Sequence, residues 1–407
     1  MIKRWLLHWE AINWTRYIDK ELMIVLTLLI GLGLVIMTSA SIAVADKKNF
    51  DNIFYFLDRQ IIFLCLGLVL ALSVYQIRMG FWQELGVKLL PIVVLLLILV
   101  LIPGIGQHWN GSRRWISLGL FTLQISEIVK LITLMYLAGY MVRHGKNLAT
   151  SSSYKPLFIP LGVIGFIGAL LMLEPDFGTT LVIMTSSIAL LFLGGVRIRR
   201  LLLVIVGSIT VMIPFLMVGY RNDRVTAFLD PWSYASSSGY QTTQALMAIG
   251  NGGWFGTGLG GGVHKLYIPE PYNDYIFSIL AEEFGFIGIV VVLFLFAWLV
   301  KRAFFIGFNA DKVKQHYSAY LAYGIGFWIG FQALFHIGVN MDLLPPKGLT
   351  LPFISYGGSS LLIACIAMAL LMRIHRETQL ALYGSNTLNQ KKPFKKTITK
   401  IRSRKDV

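Results

Sequence analysis

Hydrophobic residues in this chain collect in long unbroken runs. They do not follow the alternating or three-to-four-residue spacing of half-buried strands and helices. Ten runs stand out, at about 22–45, 60–77, 87–106, 124–142, 157–174, 177–196, 201–219, 275–300, 317–340 and 354–373. An apolar helix of about 20 residues spans a bilayer, so the pattern predicts an all-α integral membrane protein with about ten transmembrane helices. The polar connections are short except for one segment, 220–274, between the seventh and eighth helices. The expected organisation is an N-terminus over 1–21, a ten-helix domain over 22–373 containing the large loop 220–274, and a basic tail over 374–407. The first run is too long, and its basic flank too far from the start, for a cleaved signal peptide, so it reads as a retained helix.

Composition changes the picture only by narrowing it. Of 407 residues, 56% are hydrophobic and 14% charged, which leaves little room for a soluble domain outside the long loop. Ten spans place both termini on one side, and most of the 36 Lys and Arg residues fall on that side. By the positive-inside rule the termini are expected in the cytoplasm and the 220–274 loop outside it. The net charge of +16 is concentrated in "KKPFKKTITKIRSRKDV". A disordered tail on anionic lipid explains that run better than nucleic-acid binding. Cys65 and Cys365 both lie in spans and suggest no disulfide framework, and the seven His residues show no metal-ligand spacing. No internal repeat of the kind found in many transporters is evident.

The unusual polar residues gather at the ends of spans on the loop side. "GQHWNGSRRWISLGLFTLQ" mixes Trp109, Trp115 and Phe121 with Arg113 and Arg114, as an amphipathic stretch in the membrane interface would. An aromatic belt accounts for it as well as an arginine pair for an anionic lipid substrate does. In "QISEIVK", Glu127 and Lys130 share a helix face. Pairing lowers the cost of each charge in the membrane, and the pair either is structural or lines a polar cavity. In "LEPDFGTT", Asp176 is placed to cap the helix that follows. From Gly250 to Gly262, eight of thirteen residues are glycine. With Arg221, Arg224 and Lys265 nearby, such a loop suits an anion or a hinge equally, and it is no Walker A motif. "NMDLLPPKGLTLPFISYGGSS" joins the last two spans, either as a rigid turn or as a second wall of one site, with Lys347 its positive charge.

"IPEPYNDYIF" places Asp274 just ahead of the eighth apolar run, with Glu282 and Glu283 further in. A carboxylate near hydrocarbon needs a partner, a cavity or a function. The residues alone leave helix-dipole charge and catalysis evenly matched. Glu282 and Glu283 lie about 12–13.5 Å along the helix, too deep to share the same proton, and read as cavity structure or partner coupling.

Taken together, "RRWISLG", "SEIVK", "EPDFGTT", "RVTAFLDPW", "GYQTTQALMAIGNGG", "PEPYNDYIF", "AEEFGFIG" and "KGLTLPFISYGGSS" resemble the SEDS family, the group containing FtsW, RodA and SpoVE. The resemblance runs from the first span to the last, and "KGLTLPFISYGG" is more similar to the cell-division branch than to RodA. It implies a peptidoglycan glycosyltransferase of the bacterial inner membrane that polymerises lipid II into glycan strands at the division septum. The implied partners are a class B penicillin-binding protein and other divisome membrane proteins, with no nucleic acid. The family's catalytic aspartate falls on Asp274. Ile125, Asn273 and Tyr275 depart from the family's usual Pro, Thr and Phe, and the stretch from Lys265 to Pro269 is one residue shorter.

The chemistry fits that inventory. A sugar hydroxyl attacking an anomeric carbon is a weak nucleophile, and a carboxylate within reach helps remove its proton. The leaving group, undecaprenyl pyrophosphate, needs positive charge more than an acid. Asp274 would supply the first, with Glu270 tuning it. Arg114 and Lys265, and Arg221 or Arg224, would supply the second, while Glu127 and Lys130 support the cavity. A divalent cation could share the cationic role, although no motif specifies one. Attack from the opposite face inverts the anomeric carbon. The rival readings are a lipid II flippase, which would need coupled sites through the membrane, and a non-catalytic division scaffold, which would need no carboxylate at 274.

Overall fold

The computed structural model describes residues 17–47, 52–109, 112–117, 119, 122–150, 155–216, 226–346 and 348–390. Every predicted apolar run forms a helix: α1 (Lys20–Lys47), α2 (Tyr55–Gln76), α3 (Met79–Leu101), α4 (Ile125–Thr150), α5 (Lys155–Leu173), α6 (Phe177–Leu193), α7 (Ile198–Leu216), α9 (Ile276–Lys312), α10 (His316–Asn340) and α11 (Gly358–Gln390). Eight are long and apolar enough to cross a membrane, while α6 is apolar but has 17 residues, and α7 coincides with the seventh run. Short connections make sequential neighbours antiparallel. The starts of α4, α6, α9 and α11 therefore gather at one end of the bundle with the end of α10.

Helices α4, α10 and α11 are buried over most of their length, whereas α2 and α3 turn Leu68, Val69, Leu72 and Leu95 outward. In a membrane protein that division separates protein-facing from lipid-facing surface. Helix α10 packs on α9, α6 and α4, and α11 packs on α2. At the end away from Asp274, Asp19 accepts from Leu22 N at the start of α1 and from Arg302 Nε of α9. Helix α11 continues well beyond the apolar run, so the expected boundary at 373/374 falls inside a continuous helix. Residues 391–407 lie outside the described residues.

The segment expected as an amphipathic interfacial stretch folds as a small antiparallel sheet: β1 (Gly106–Trp109), β2 (Ser112–Ser117) and β3 (Thr122–Gln124), in the order β1-β2-β3. Trp109 pairs with Ser112 and Trp115 with Gln124. The intervening Asn110-Gly111 is the dipeptide favoured in two-residue hairpins, a local signal that the aromatic and basic composition of the stretch masks.

The long loop contains α8 (Tyr240–Gly252), which packs on α9. Helix α9 is broken at Gly285 (φ 62°, ψ −161°). A helix broken inside a membrane must have its freed backbone groups satisfied by protein, and the glycine-rich loop does this. Thr257 N donates to Glu282 O at 2.9 Å and Gly258 N to Glu283 O at 3.1 Å; in return Phe286 N donates to Gly253 O at 2.9 Å and Ile287 N to Trp254 O at 3.3 Å. The exchange carries Trp254 and Phe255, both exposed, alongside the outward-facing Phe286 and Ile287 of α9. The glycines allow this contact: a Cβ on Gly285 would lie 2.4 Å from Gly256 N.

Gly285→Ala should therefore be costly. Left-handed strain alone is about 1–3 kcal/mol, and the Cβ would push the loop away. The expected outcome is a lower thermal midpoint with faster hydrogen exchange confined to 253–258 and 282–287. Unchanged exchange there would show that the break needs no glycine.

Candidate active site

Asp274 is half-buried, two residues ahead of α9. The main chain of residues 272–274 is seated by three hydrogen bonds. Asn340 Nδ2, at the end of α10, donates to Asp274 O at 3.0 Å. Ser355 Oγ donates to Asn273 O at 2.8 Å while accepting from Leu351 N at 2.8 Å. Tyr356 N donates to Tyr272 O at 3.0 Å. The Tyr272 ring packs against Phe56 of α2 and Tyr356, with centroids 4.4 and 5.6 Å away. The start of α9 has no cap of its own, and Asn340 Oδ1 provides one by accepting from Ser278 N at 3.1 Å and Ser278 Oγ at 2.8 Å. Across from Asp274 runs the backbone of 348–350: a Cβ on Gly348 would lie 3.6 and 3.9 Å from the carboxylate oxygens.

Glu270 shares this turn. Asn273 N donates to its carbonyl at 3.0 Å, and its backbone is left-handed at φ 50°. Phe353, in the facing loop, is left-handed too, at φ 65°. Such conformations persist only where surrounding bonds hold them. Burial, followed by the charge of Glu270 and then by Tyr356 and Asp274, raises the Tyr272 phenol above its ordinary value.

The expected cations are distributed differently. Lys265 is buried, and its ammonium is committed to Glu283 Oε1 at 2.7 Å, Ser39 Oγ at 3.0 Å and Gly260 O at 2.9 Å. Beside it Glu282 accepts from Val263 N at 3.0 Å, Asn251 Nδ2 at 3.0 Å and the His264 ring at 2.7 Å. The two deep acids thus fasten the glycine-rich loop to α9. Arg114 of β2 donates to the carbonyls of Glu174 and Pro175, and its Nη1 lies 3.8 Å from Asp176. Asp176 caps α6 as its position predicts, accepting from Thr179 N at 3.2 Å, and also accepts from Ser126 Oγ at 2.8 Å. Strand β3 is tied to the start of α11 through Gln124 N and Ser359 Oγ at 3.0 Å. Arg221, Arg224, Phe121 and Lys347 lie outside the described residues.

Glu127 and Lys130 form a buried pair at 2.8 Å, and Lys130 Nζ also donates to Gln332 Oε1 at 2.9 Å. Gln332 and His336 of α10 belong to none of the sequence motifs, and Asn340 enters only as the first residue of "NMDLLPPKGLTLPFISYGGSS", so no motif marks the three as a set. Their only signal in the sequence is a polar residue at every fourth position of an otherwise apolar helix. Among the described residues no three His, Cys, Asp or Glu side chains cluster to hold a metal ion. Glu174, in the turn between α5 and α6, is fully buried, and among the described residues neither of its carboxylate oxygens has a hydrogen-bond partner. Burial first, then the neighbouring Asp176, pushes its carboxyl up to about 9 against the opposing pull of Arg114.

Comparison with known proteins adds three findings. The sequence model of the FtsW, RodA and SpoVE family, described as "Cell cycle protein", matches residues 20–380. A relative from Thioalkalivibrio sulfidiphilus, named a probable peptidoglycan glycosyltransferase FtsW, is 48% identical over 89% of this chain and 90% of its own. One of the same name from Coxiella burnetii is 44% identical over 91% of this chain and 99% of its own. Among solved structures, a chain of a peptidoglycan synthase complex that coordinates polymerization and crosslinking superposes with TM-score 0.74 at 28% identity, covering 90% of this chain and 99% of that one. Thermus thermophilus RodA superposes with TM-score 0.65 at 29% identity, over 90% and 99%.

Two buried acids give distinct predictions. Lys130→Met leaves Glu127 without its cation and should cost about 3–5 kcal/mol, the usual effect of breaking a buried pair. Adding Glu127→Gln should recover much of it in thermal unfolding, and a double variant no better than Lys130→Met would refute the pairing. Glu174, with its carboxyl raised from 4.5 to about 9, favours folding fully only below 4.5 and progressively less up to 9. Glu174→Gln mimics the neutral acid. Its stability relative to the parent should therefore rise from pH 5 to pH 8.5, in about that interval; a pH-independent difference would show that Glu174 ionises normally.

Proposed function

This chain belongs to the cell cycle protein family of FtsW, RodA and SpoVE, and from that premise we propose the reaction it carries out and the residues that perform it. It is a multi-pass membrane protein and a peptidoglycan glycosyltransferase, the activity named for relatives that match it over most of their length. In our reading the substrate is lipid II and the product a glycan strand. The protein works in the bacterial inner membrane at the division septum, with both termini cytoplasmic and the Asp274 end of the bundle outside. A class B penicillin-binding protein is its partner, in keeping with the likeness to a synthase complex that couples polymerization to crosslinking.

The single observation behind the site assignment is the seating of Asp274. Its main chain and those of its neighbours are tied to α10 and to the 351–356 loop, at the bundle end where lipid-linked sugars would present their headgroups. Asp274 accepts the proton of the acceptor sugar hydroxyl as the new glycosidic bond forms. The bond from the donor's anomeric carbon to pyrophosphate breaks with inversion, and the electron pair leaves on phosphate oxygen. Positive charge stabilises that leaving group. Arg114, partly exposed at the same end, is placed to contribute. Lys265 and Lys130, each already paired with a carboxylate, act by holding the surrounding segments in place. Glu270 supports the turn that carries Asp274.

Asp274→Asn preserves shape and removes the base. Glycan polymerisation from lipid II by the purified protein with its penicillin-binding partner should fall by about 10²–10⁴-fold, with membrane insertion and partner association intact. Glu270→Gln should cost less. Product at the parent rate from Asp274→Asn would overturn the assignment.

A further inference from the structure

Three polar side chains on one face of α10 hold the two segments that face each other across the candidate site. Gln332, His336 and Asn340 recur at every fourth position and are 1%, 2% and 0% exposed. Gln332 Oε1 accepts from Lys130 Nζ at 2.9 Å and Trp328 Nε1 at 2.8 Å, which orients the amide so that Nε2 donates to Thr350 O at 2.8 Å. His336 lies 2.6 Å from Leu349 O through Nδ1. A carbonyl only accepts, so Nδ1 carries the proton. Asn340 Nδ2 donates to Asp274 O at 3.0 Å and to His336 O at 2.9 Å, while its Oδ1 accepts from Ser278. The first two therefore fix the 349–350 backbone, and the third fixes Asp274 and the start of α9. Gly348, next to the first segment, lies against the Asp274 carboxylate.

We propose that Gln332, His336 and Asn340 are positioning residues of the transferase reaction, a rigid comb on α10 that sets the separation between Asp274 and the 348–350 backbone. The proposal rests on the assignment of Asp274 as the base. A purely stabilising role explains the arrangement less well. Apolar side chains would suffice to pack α10, and side-chain hydrogen bonds within membranes add little net stability. They do fix distance and direction. The comb also accounts for the buried Glu127–Lys130 pair, because Lys130 holds the Gln332 oxygen and so points the Gln332 N–H at Thr350. Catalysis that depends on a proton acceptor within hydrogen-bond reach is sensitive to displacements of an ångström, which can cost about 10²-fold.

The test uses the full chain with its penicillin-binding partner and lipid II, measuring kcat, KM, thermal midpoint and hydrogen exchange. Asn340→Leu and Gln332→Met should lower kcat by about 10- to 100-fold with KM within threefold, and exchange over 348–357 should accelerate. His336→Gln, which keeps a donor, should retain more activity than His336→Leu. Gln332→Glu preserves the acceptor for Lys130 and Trp328 and removes the donor to Thr350. It should show the same loss of kcat, and it serves where Asn340→Leu does not fold. A kcat within twofold of the parent in these variants, or a loss that only tracks the folded fraction, overturns the comb. Asp274→Asn run alongside separates the two claims. If it is inactive while the comb variants are active, only the comb fails; if it is active, the base assignment fails and the comb with it.

Discussion

The constraint on which this structure depends is that backbone polar groups within a membrane must find partners inside the protein. Continuous helices meet it automatically, and among the described residues two departures from continuous helix near the candidate site are healed by the chain's own groups. At Gly285 the loop following α8 exchanges main-chain hydrogen bonds with the broken helix. Between α10 and α11 the irregular connection is held by side chains: Gln332 and His336 of α10 at Thr350 and Leu349, Gln60 of α2 at Ser355 and Gly357, and Ser355 of the connection itself at Leu351 N. An unpaired buried donor or acceptor costs about 1–3 kcal/mol, so each departure needs its full set of partners. Asp274 lies where the second repair meets the start of α9.

The same constraint explains which charges are available for chemistry. Lys130 and Lys265 are both deep, and both are paired at hydrogen-bond distance. Taking either ammonium from its carboxylate would leave a buried charge uncompensated. Residues that attract attention in the sequence as cations are thereby structural in their first duty. Arg114, nearer the surface, has its guanidinium turned mainly to carbonyls and keeps 3.8 Å from Asp176. The structure thus combines a rigid interior with charge left accessible at the rim.

The spans are legible because apolar runs of membrane length have one dominant meaning, and the ten helices fall where the runs do. Asp176 as a cap and Glu127 with Lys130 as a pair are legible because both depend on local spacing. Helix ends are less so: α9 and α11 continue into polar sequence, where hydrophobicity stops reporting on helix. The sheet at 106–124 is hidden by a composition equally suited to an interfacial stretch. Lys265 reads as a free cation, since its partner Glu283 lies eighteen residues away, on the following helix, at a separation that no local rule pairs. The comb on α10 is visible as a spacing, but its purpose depends on which loop lies opposite.

That spacing has a consequence for how the sequence of α10 can drift. The three polar side chains address two different segments from a single face, and adjacent residues on a helix point about 100° apart. Individual positions nearby can exchange one apolar side chain for another of similar volume. A single inserted or deleted residue between Gln332 and Asn340 cannot be absorbed in this way, because it would turn one end of the comb off its partners while leaving the other in place. The interval from 332 to 340 is therefore a ruler: its composition is negotiable and its length is not.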